Sequence, residues 1–333
     1  MLFILIGCFG DQKNQSPVFI SGETMGTTYN ITVVDNPLSL SKENLKKRIE
    51  ETLNEVNEKM SNWYNQSEIS MVNNNTRGKP IDLSQELFDV INISADIHNK
   101  SNGAFDITAA PLIDLWGFGP NKSKKKIPSV SEVNAALEMV GQTKLLKLIP
   151  GLNRLKKGNS EVTINLSAIA KGYGIDKVAS TLKEYKIENF LVEIGGDLIT
   201  SGTNKNGKAW SIGIEAPKVE RQIVQSVIQL KNQAMATSGD YKNFFEKNGI
   251  RYSHIIDPKT GHPIRHKTLS VTVLAESAAL ADGWATAMLV LGNKDGMSIA
   301  NKLGIPVFFI SSHEKTFITT GSDEFNKIVA RNN

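Results

Sequence analysis

A carboxylate and a hydroxyl that could share a metal ion lie four residues apart in the segment SAALADGWATAMLVLG. We predict that Asp282 and Thr286 share a helix, where residues four apart project from the same face with Cβ atoms about 5–6 Å apart. Hard oxygen atoms of this kind suit Mg²⁺, which keeps waters or phosphate oxygens as further ligands. An aspartate near a helix start, favoured by the helix dipole and backed by a packed threonine, explains the pair equally well.

A second segment, NLSAIAKGYGID, has the composition of an anion-binding turn. We predict that the strand EVTINL runs into a helix from about Ser167 to Tyr185, with Ser167, Lys171 and two glycines in its first turn. Glycines cost stability there unless the backbone must approach another group closely. The free N–H groups of a helix start bind phosphates, and Lys171 adds a positive charge. The spacing of a P-loop is absent, so the anion is not specified.

The segment RYSHIIDPKTGHP places a histidine near the end of a predicted strand. Ile255 and Ile256 are expected to be buried, Pro258 ends the hydrogen-bonded ladder, and Gly261 turns the chain. His254 is then either an ordinary strand residue or a base, since the reference pKa of histidine is near 6.5. Taken alone, the segment favours the ordinary strand.

Aspartates and one tryptophan follow several other element ends. The segments GAFDIT, EIGGD and ATSGDY each set small residues beside an aspartate, which is common loop chemistry. Trp63 follows a predicted helix among polar residues, where an indole either covers the core or stacks on a planar ligand. Each of these features is too common to indicate a function by itself.

Hydrophobic periodicity predicts the elements that position these residues. Helices are predicted over residues 41–60, 84–100 and about 277–291, and Ser129 with Glu132 forms a capping box at the start of another. Short strands alternate with these helices or follow one another at hairpin spacing. The fold class is therefore α+β with antiparallel sheets, not a doubly wound parallel fold. The predicted strands are TTYNITVV, EVTINL, NFLVEI, WSIGIEA, SVIQL, QAMATS, SVTVLA and IPVFFI.

The length and composition are those of a globular protein with a large core. The chain has 333 residues, 40% hydrophobic and 22% charged, which is enough for one large domain or two lobes. A net charge of +4 is too small to indicate a nucleic-acid partner. The one basic run, residues 122–126, is interpreted as a solvated loop.

The only cysteine, Cys8, excludes a disulfide framework and a thiolate metal cluster. The apolar run before it is far too short to span a bilayer, and residues 5–8 resemble a bacterial lipobox. We therefore predict a lipoprotein signal over residues 1–8, a polar tether over 9–20 and the functional domain over 21–333. This places the protein in the bacterial cell envelope, anchored to a membrane and facing the periplasm. An ordinary signal peptide with an incidental cysteine is the alternative.

Eight segments, taken together and in order, resemble the FAD:protein FMN transferase (ApbE) family. Each is short, but together they extend from Glu23 to Ala287. The segments are ETMGTTY, SNWYNQSEIS, GAFDITAAPLIDLWGFG, NLSAIAKGYGID, EIGGD, ATSGDY, YSHIIDPKTGHP and ALADGWATA.

This resemblance implies a two-lobed α+β fold, with mixed or antiparallel sheets flanked by helices and an FAD cleft between the lobes. It implies Mg²⁺-dependent transfer of FMN from FAD onto a threonine or serine hydroxyl of a target flavoprotein, with release of AMP. Asp282, Thr286 and a backbone carbonyl near Ala170 would bind the metal. The residues implied at the FAD site are Met25, Trp63, Phe105, Asp106, Ile107, Ser167, Lys171, Tyr173, Thr237, Ser238 and Ile256.

Attack of an alcohol on a pyrophosphate needs a base, and His254 is the best candidate near the segment that would hold the pyrophosphate. Two alternatives stay open: an FAD pyrophosphatase that uses water in the same site, and a flavin-binding lipoprotein without catalysis. The resemblance implies acceptors among the flavin-carrying subunits of membrane redox complexes. A lipid anchor at Cys8 would hold the enzyme on the same side of that membrane.

Overall fold

The computed structural model describes residues 16–119, 126–217, 223–240, 243–314 and 316–331. The predicted lipobox with Cys8 and most of the basic run lie outside these residues. Within them, no helix combines the length and the hydrophobicity needed to cross a membrane.

Eight strands form one main sheet in which every neighbouring pair is antiparallel, in the order β1-β2-β6-β7-β10-β13-β14-β15. Three small sheets complete the described strands: β3-β5-β4, the hairpin β8-β9 and the hairpin β11-β12. The strands are β1 Val18–Thr24, β2 Thr27–Val33, β3 Ile81–Asp82, β4 Leu146–Ile149, β5 Arg154–Lys157, β6 Phe190–Ile194, β7 Asp197–Ser201, β8 Trp210–Glu215, β9 Val224–Leu230, β10 Ala234–Gly239, β11 Phe244–Lys247, β12 Ile250–Ser253, β13 Thr268–Ala275, β14 Val307–His313 and β15 Thr316–Gly321.

Helices cover the main sheet and complete its core. They are α1 Lys42–Met60, α2 Glu68–Asn73, α3 Gln85–Lys100, α4 Ala110–Leu115, α5 Val130–Leu137, α6 Gln142–Leu145, α7 Ala170–Glu184, α8 Ala278–Leu303 and α9 Asp323–Arg331.

Strand alternation divides the apolar side chains between two faces of the main sheet. Along β6, Phe190 and Val192 belong to the large core with α1, α3, α7 and α8, while Leu191 packs with the opposite cluster. That second cluster joins Met235 of β10 to the β8-β9 hairpin and to Phe325 of α9. One sheet thus supports two cores because successive side chains point to opposite faces.

A third, aromatic cluster lies outside the main sheet. The Trp116 ring stacks on Tyr252, with centroids 5.6 Å apart, and Tyr252 stacks on Phe245 at 5.0 Å. These contacts join the segment after α4 to the β11-β12 hairpin, next to His254. The hairpin is therefore fixed by aromatic packing, since it adds no strand to the main sheet.

The predicted α+β class with antiparallel sheets is confirmed. Two helix starts are also confirmed: the Ser41 hydroxyl accepts from Asn44 N, and the Ser84 hydroxyl accepts from Leu87 N. The Ser129 capping box is present as well. β1 begins at Val18, three residues before the predicted start of the domain at residue 21.

The prediction that EVTINL is a strand is wrong, because Ile164 and Leu166 in this segment take their backbone partners from asparagine side chains and not from a neighbouring strand. Ile164 N donates to Asn73 Oδ1 at 2.7 Å, and Ile164 O accepts from both Asn62 and Asn73 amides. Leu166 N donates to Asn62 Oδ1. The apolar alternation that predicted a strand is real, but no neighbouring strand provides the ladder.

Two helix boundaries also differ from prediction. α7 begins at Ala170, so Ser167 precedes the helix instead of lying in its first turn. α8 continues to Leu303 across a break at Gly292, whose φ of 70° and ψ of 177° are not helical. A β-carbon on Gly292 would collide with the His266 ring, so the break and the packing of that histidine require the same glycine.

Candidate functional site

A cavity of about 1070 Å³ opens at one end of the main sheet, where β2 begins, β6 and β10 end, and α7 starts. Its walls come from both sides of that sheet end, since α8 lies on one face and the β8-β9 hairpin on the other. All of the predicted site residues except Tyr173 line it. They are Met25, Trp63, Phe105, Asp106, Ile107, Ser167, Ala170, Lys171, Thr237, Ser238, His254, Ile256, Asp282 and Thr286.

Tyr173 lies in a different place. It lines a separate cavity of about 490 Å³ together with Asp89 and Asp176. Because Tyr173 follows Lys171 by two residues on α7, the two side chains leave the helix about 200° apart. Burial, followed by the charges of nearby acids, raises the pKa of Tyr173. The structure therefore does not bring Tyr173 to the larger cavity, contrary to the prediction.

Oxygen atoms from two helices and a strand meet where a metal ion was predicted. Asp282 is 5% exposed, and its Oδ2 accepts from Gly172 N at 3.0 Å. The Thr286 hydroxyl lies 3.3 Å from that of Ser238 on β10, and Ala170 begins α7 nearby. Among the described residues, no three His, Cys, Asp or Glu side chains converge on one point. One carboxylate with hydroxyl and carbonyl oxygens suits a hard ion such as Mg²⁺.

Glycine is required at the start of α7 for a reason different from the one predicted. A β-carbon on Gly172 would collide with the Ala278 carbonyl oxygen of α8, and one on Gly174 would lie 2.8 Å from Met25 Cε. The close approach that excludes side chains is therefore an approach to the rest of the protein, chiefly to α8, and not to a phosphate.

Lys171 lines the cavity and forms an ion pair that was not predicted from the sequence. Its ammonium contacts Asp197 Oδ2, while Asp197 Oδ1 accepts from Thr237 N at 2.9 Å. Asp197 is 2% exposed, so it fixes both the lysine and the end of β10 from inside. The only signal for this aspartate was the EIGGD turn, which is indistinguishable from ordinary loop chemistry.

The Asp106 carboxylate accepts its hydrogen bonds from other groups of the protein. One oxygen accepts from Thr108 N at 2.7 Å and from the Thr108 hydroxyl, and the other accepts from Gln142 N at 2.9 Å. The His98 ring also lies 3.4 Å from the carboxylate. Asp106 thus holds in shape the loop that presents Phe105 and Ile107 to the cavity.

His254 follows β12 and lies in the cavity wall. Its Nδ1 is 2.9 Å from the carbonyl oxygen of Asn243. A carbonyl oxygen only accepts hydrogen bonds, so in the neutral ring Nδ1 carries the proton and Nε2 has the basic lone pair. The Phe118 ring packs edge-on at 6.3 Å. This arrangement suits a base held in one tautomer.

The turn after His254 is fixed from outside the cavity. Trp116 Nε1 donates to Gly261 O at 2.8 Å, and a β-carbon on Gly261 would collide with Val133. Ile256 pairs with Pro263 in an isolated bridge and is 6% exposed. The glycine turn thus locks the segment that contains Ile256 and His254 onto the aromatic cluster.

Trp63 is 69% exposed at the cavity edge, which excludes the interpretation of this indole as a cover for the core. Other lining residues were not among the predicted site residues. The β8-β9 hairpin contributes Gly213 and Glu215, and β6 contributes Glu193, whose carboxylate accepts from Asn30 at 2.8 Å and from Gly196 N. Only the packing of the β8-β9 hairpin against the sheet end brings Gly213 and Glu215 into the same cavity wall as Glu193.

The ApbE family model matches residues 25–309, which include every predicted site residue. The chain belongs to the ApbE family. It is 41% identical over 330 residues to the FAD:protein FMN transferase of Vibrio cholerae, covering 99% of this chain and 97% of that one. It is 39% identical over 321 residues to that of Haemophilus influenzae, covering 95% and 93%.

Solved structures of ApbE proteins have the same fold as this family member. The flavin transferase ApbE from Vibrio cholerae superposes with a TM-score of 0.86 at 39% identity, covering 94% of this chain and 99% of that one. The apo form of the flavinyl transferase ApbE from Pseudomonas stutzeri gives the same TM-score at 34% identity, covering 94% and 96%.

Proposed function

We propose that this ApbE-family protein is a Mg²⁺-dependent FAD:protein FMN transferase. One observation carries the proposal: a single cavity brings together the buried carboxylate of Asp282, the half-buried hydroxyl of Thr286, a fixed lysine and a histidine held in one tautomer. Near-full-length similarity to proteins named for this activity supports it. These groups meet the needs of phosphoryl-group transfer, which depends on positioning and charge neutralisation.

The cavity has both apolar and polar lining residues, as FAD would require. Ile107 and Ile256 provide apolar contacts for the flavin ring, and the exposed indole of Trp63 can stack on it. Lys171 and Ser238 would provide the pyrophosphate with positive charge and a hydrogen-bond donor. The remaining proposed FAD contacts are Met25, Phe105, Asp106, Ser167 and Thr237.

Asp282, Thr286 and the Ala170 carbonyl would hold Mg²⁺, and Ser238 adds a neighbouring hydroxyl. When bound, the ion neutralises charge on the phosphate oxygens. Gly172 N–H orients the carboxylate of Asp282 from the start of α7.

The transfer step balances with groups that the chain supplies. The acceptor hydroxyl oxygen forms a bond to the phosphorus of the FMN half, and the bond from that phosphorus to the bridging oxygen breaks. AMP leaves with the bridging oxygen, and the hydroxyl proton moves to His254 Nε2. The Asn243 carbonyl accepts from Nδ1–H and so stabilises the protonated ring that results.

The test incubates the protein with FAD, Mg²⁺ and an acceptor domain that exposes a threonine. We expect AMP release, in-gel flavin fluorescence of the acceptor and a mass gain of one FMN, all lost with a chelator or in Asp282→Ala. AMP and free FMN without a labelled acceptor would indicate a pyrophosphatase. Bound FAD without any AMP would indicate a flavin-binding protein.

For its cellular place, we propose a lipid anchor at Cys8 that holds the enzyme on the periplasmic side of a membrane. Flavin-carrying subunits of membrane redox complexes would then be its acceptors. The support is the lipobox-like sequence at residues 5–8. Mass spectrometry of the mature protein is expected to show a diacylglyceryl-modified cysteine at its N-terminus, and an unmodified Cys8 would contradict the proposal.

A further inference from the structure

Helices α7 and α8 each provide a carboxylate that accepts hydrogen bonds from the first N–H groups of the other helix. Asp176 of α7 accepts from Ala278 N at 2.7 Å and from Ala279 N at 2.9 Å, which are the first two N–H groups of α8. In return, Asp282 of α8 accepts from Gly172 N in the first turn of α7. Each helix start, which otherwise leaves N–H groups without partners, is thus capped by the other helix.

The two helices are in backbone contact at this point. Gly172 has no room for a β-carbon beside the Ala278 carbonyl. The residue before α7, Ile169, offers no side-chain cap, so the carboxylate of Asp282 takes that place. α8 has a cap of its own as well, because the Ser277 hydroxyl accepts from Leu280 N.

Asp176 itself lies away from the reacting groups. It lines the smaller cavity on the other side of α7 and does not line the larger one. Its contact residue Ala278 precedes Asp282 by one helical turn, so a shift of the first turn of α8 would carry the Asp282 carboxylate with it.

We propose that Asp176 is a positioning residue for the metal site: it fixes the start of α8 against α7 and so holds the Asp282 carboxylate beside Ala170. The inference rests on the proposed function, because it assumes that Asp282 binds the ion. Partners that orient metal ligands in this indirect way commonly change metal affinity about 10- to 100-fold when they are removed.

The carboxylate of Asp176 caps α8, but its burial also has a cost in stability. Burial is the main cause that raises the pKa of Asp176 to about 6, and the nearby charge of Asp282 raises it further, while the N–H groups of Ala279 and Ala278 lower it. At neutral pH the ionised group therefore carries a desolvation cost that a neutral amide would avoid. Asp176→Asn removes that cost but leaves only one acceptor for two N–H groups. We expect its melting temperature to stay within about 3 °C of wild type.

The test measures Mn²⁺ binding in the presence of FAD, with the free ion counted by electron paramagnetic resonance. Asp176→Asn is expected to weaken Mn²⁺ binding about 10-fold or more. Ser277→Ala is the matched control: it removes a cap from the same helix start without touching the contact between α7 and α8. It should lower the melting temperature and leave Mn²⁺ affinity unchanged. Asp282→Ala should abolish binding.

The outcomes separate the inference from the function on which it rests. Unchanged Mn²⁺ affinity in Asp176→Asn, with loss in Asp282→Ala, would overturn the positioning role alone. Full affinity in Asp282→Ala would overturn the metal site itself. An equal loss of Mn²⁺ affinity in Ser277→Ala would show that any weakening of the start of α8 lowers this affinity, and would overturn the specific role of Asp176. If Asp176→Asn does not fold, Asp176→Glu keeps both acceptors on a longer stem and should weaken binding several-fold, and unchanged affinity there would also overturn the role.

Discussion

At the scale of single residues, His254 has the role that can be separated most cleanly from binding. His254→Ala removes the proposed base but none of the proposed phosphate or metal contacts. We expect FAD affinity to change little and FMN transfer to fall about 10²- to 10⁴-fold, the usual contribution of a general base. Fluorescence titration with FAD and single-turnover AMP release measure the two separately. The exposed His313→Ala is the control, and undiminished transfer by His254→Ala would remove this histidine from the mechanism.

At the scale of elements, the contact between α7 and α8 sets the geometry of the site. Gly172→Ala forces a β-carbon against the backbone of α8, which cannot move aside as a side chain can. We expect a loss of about 1–3 kcal/mol in the free energy of unfolding, measured by urea denaturation. Gly174→Ala is the matched control, because its β-carbon would meet only the flexible end of Met25. Equal losses in the two variants would show that helix contact is not the reason for Gly172.

The ion pair that joins α1 to α3 predicts a pH dependence. Lys59 Nζ lies 2.7 Å from Glu86, and its hydrogen bond is the main cause that lowers the pKa of Glu86 below 4.5. A lowered folded-state pKa contributes stability above pH 4.5 that is lost as pH falls through the folded pKa. Because both side chains are partly exposed, the contribution is at most about 1 kcal/mol.

Glu86→Gln should therefore lower the melting temperature slightly at pH 7 and by less at pH 3, as measured by circular dichroism. Lys59→Met should match it at pH 7, since both variants break the same pair. A Glu86→Gln difference that persists undiminished at pH 3 would contradict the electrostatic explanation.

At the scale of the whole molecule, the cavity joins elements from both sides of the main sheet at one end, so its ligand should stabilise the protein as a unit. FAD at 100 times its dissociation constant should add about 2.7 kcal/mol to the free energy of unfolding. For a chain of this length, that corresponds to a rise of roughly 4 °C in melting temperature. Differential scanning fluorimetry with FAD and Mg²⁺ checks it. AMP alone should raise the melting temperature by less, because it lacks the flavin ring. An equal rise with AMP would show that the proposed flavin contacts do not contribute to binding.

The sequence by itself determined the α+β class and the helix starts at Ser41, Ser84 and Ser129. Local signals suffice for these, because capping and periodicity act between residues a few positions apart. The family resemblance supplied the site residues, since their individual motifs were too common to distinguish from loops.

Only the tertiary structure decided which of these residues meet, and how. Tyr173 lies on the far side of α7, the backbone of Ile164 and Leu166 is hydrogen-bonded to two asparagine side chains, and Lys171 pairs with Asp197. The structure also shows that Gly172 makes room for α8. Each depends on contacts between residues distant in the chain, where tertiary packing determines the partner and local propensity does not.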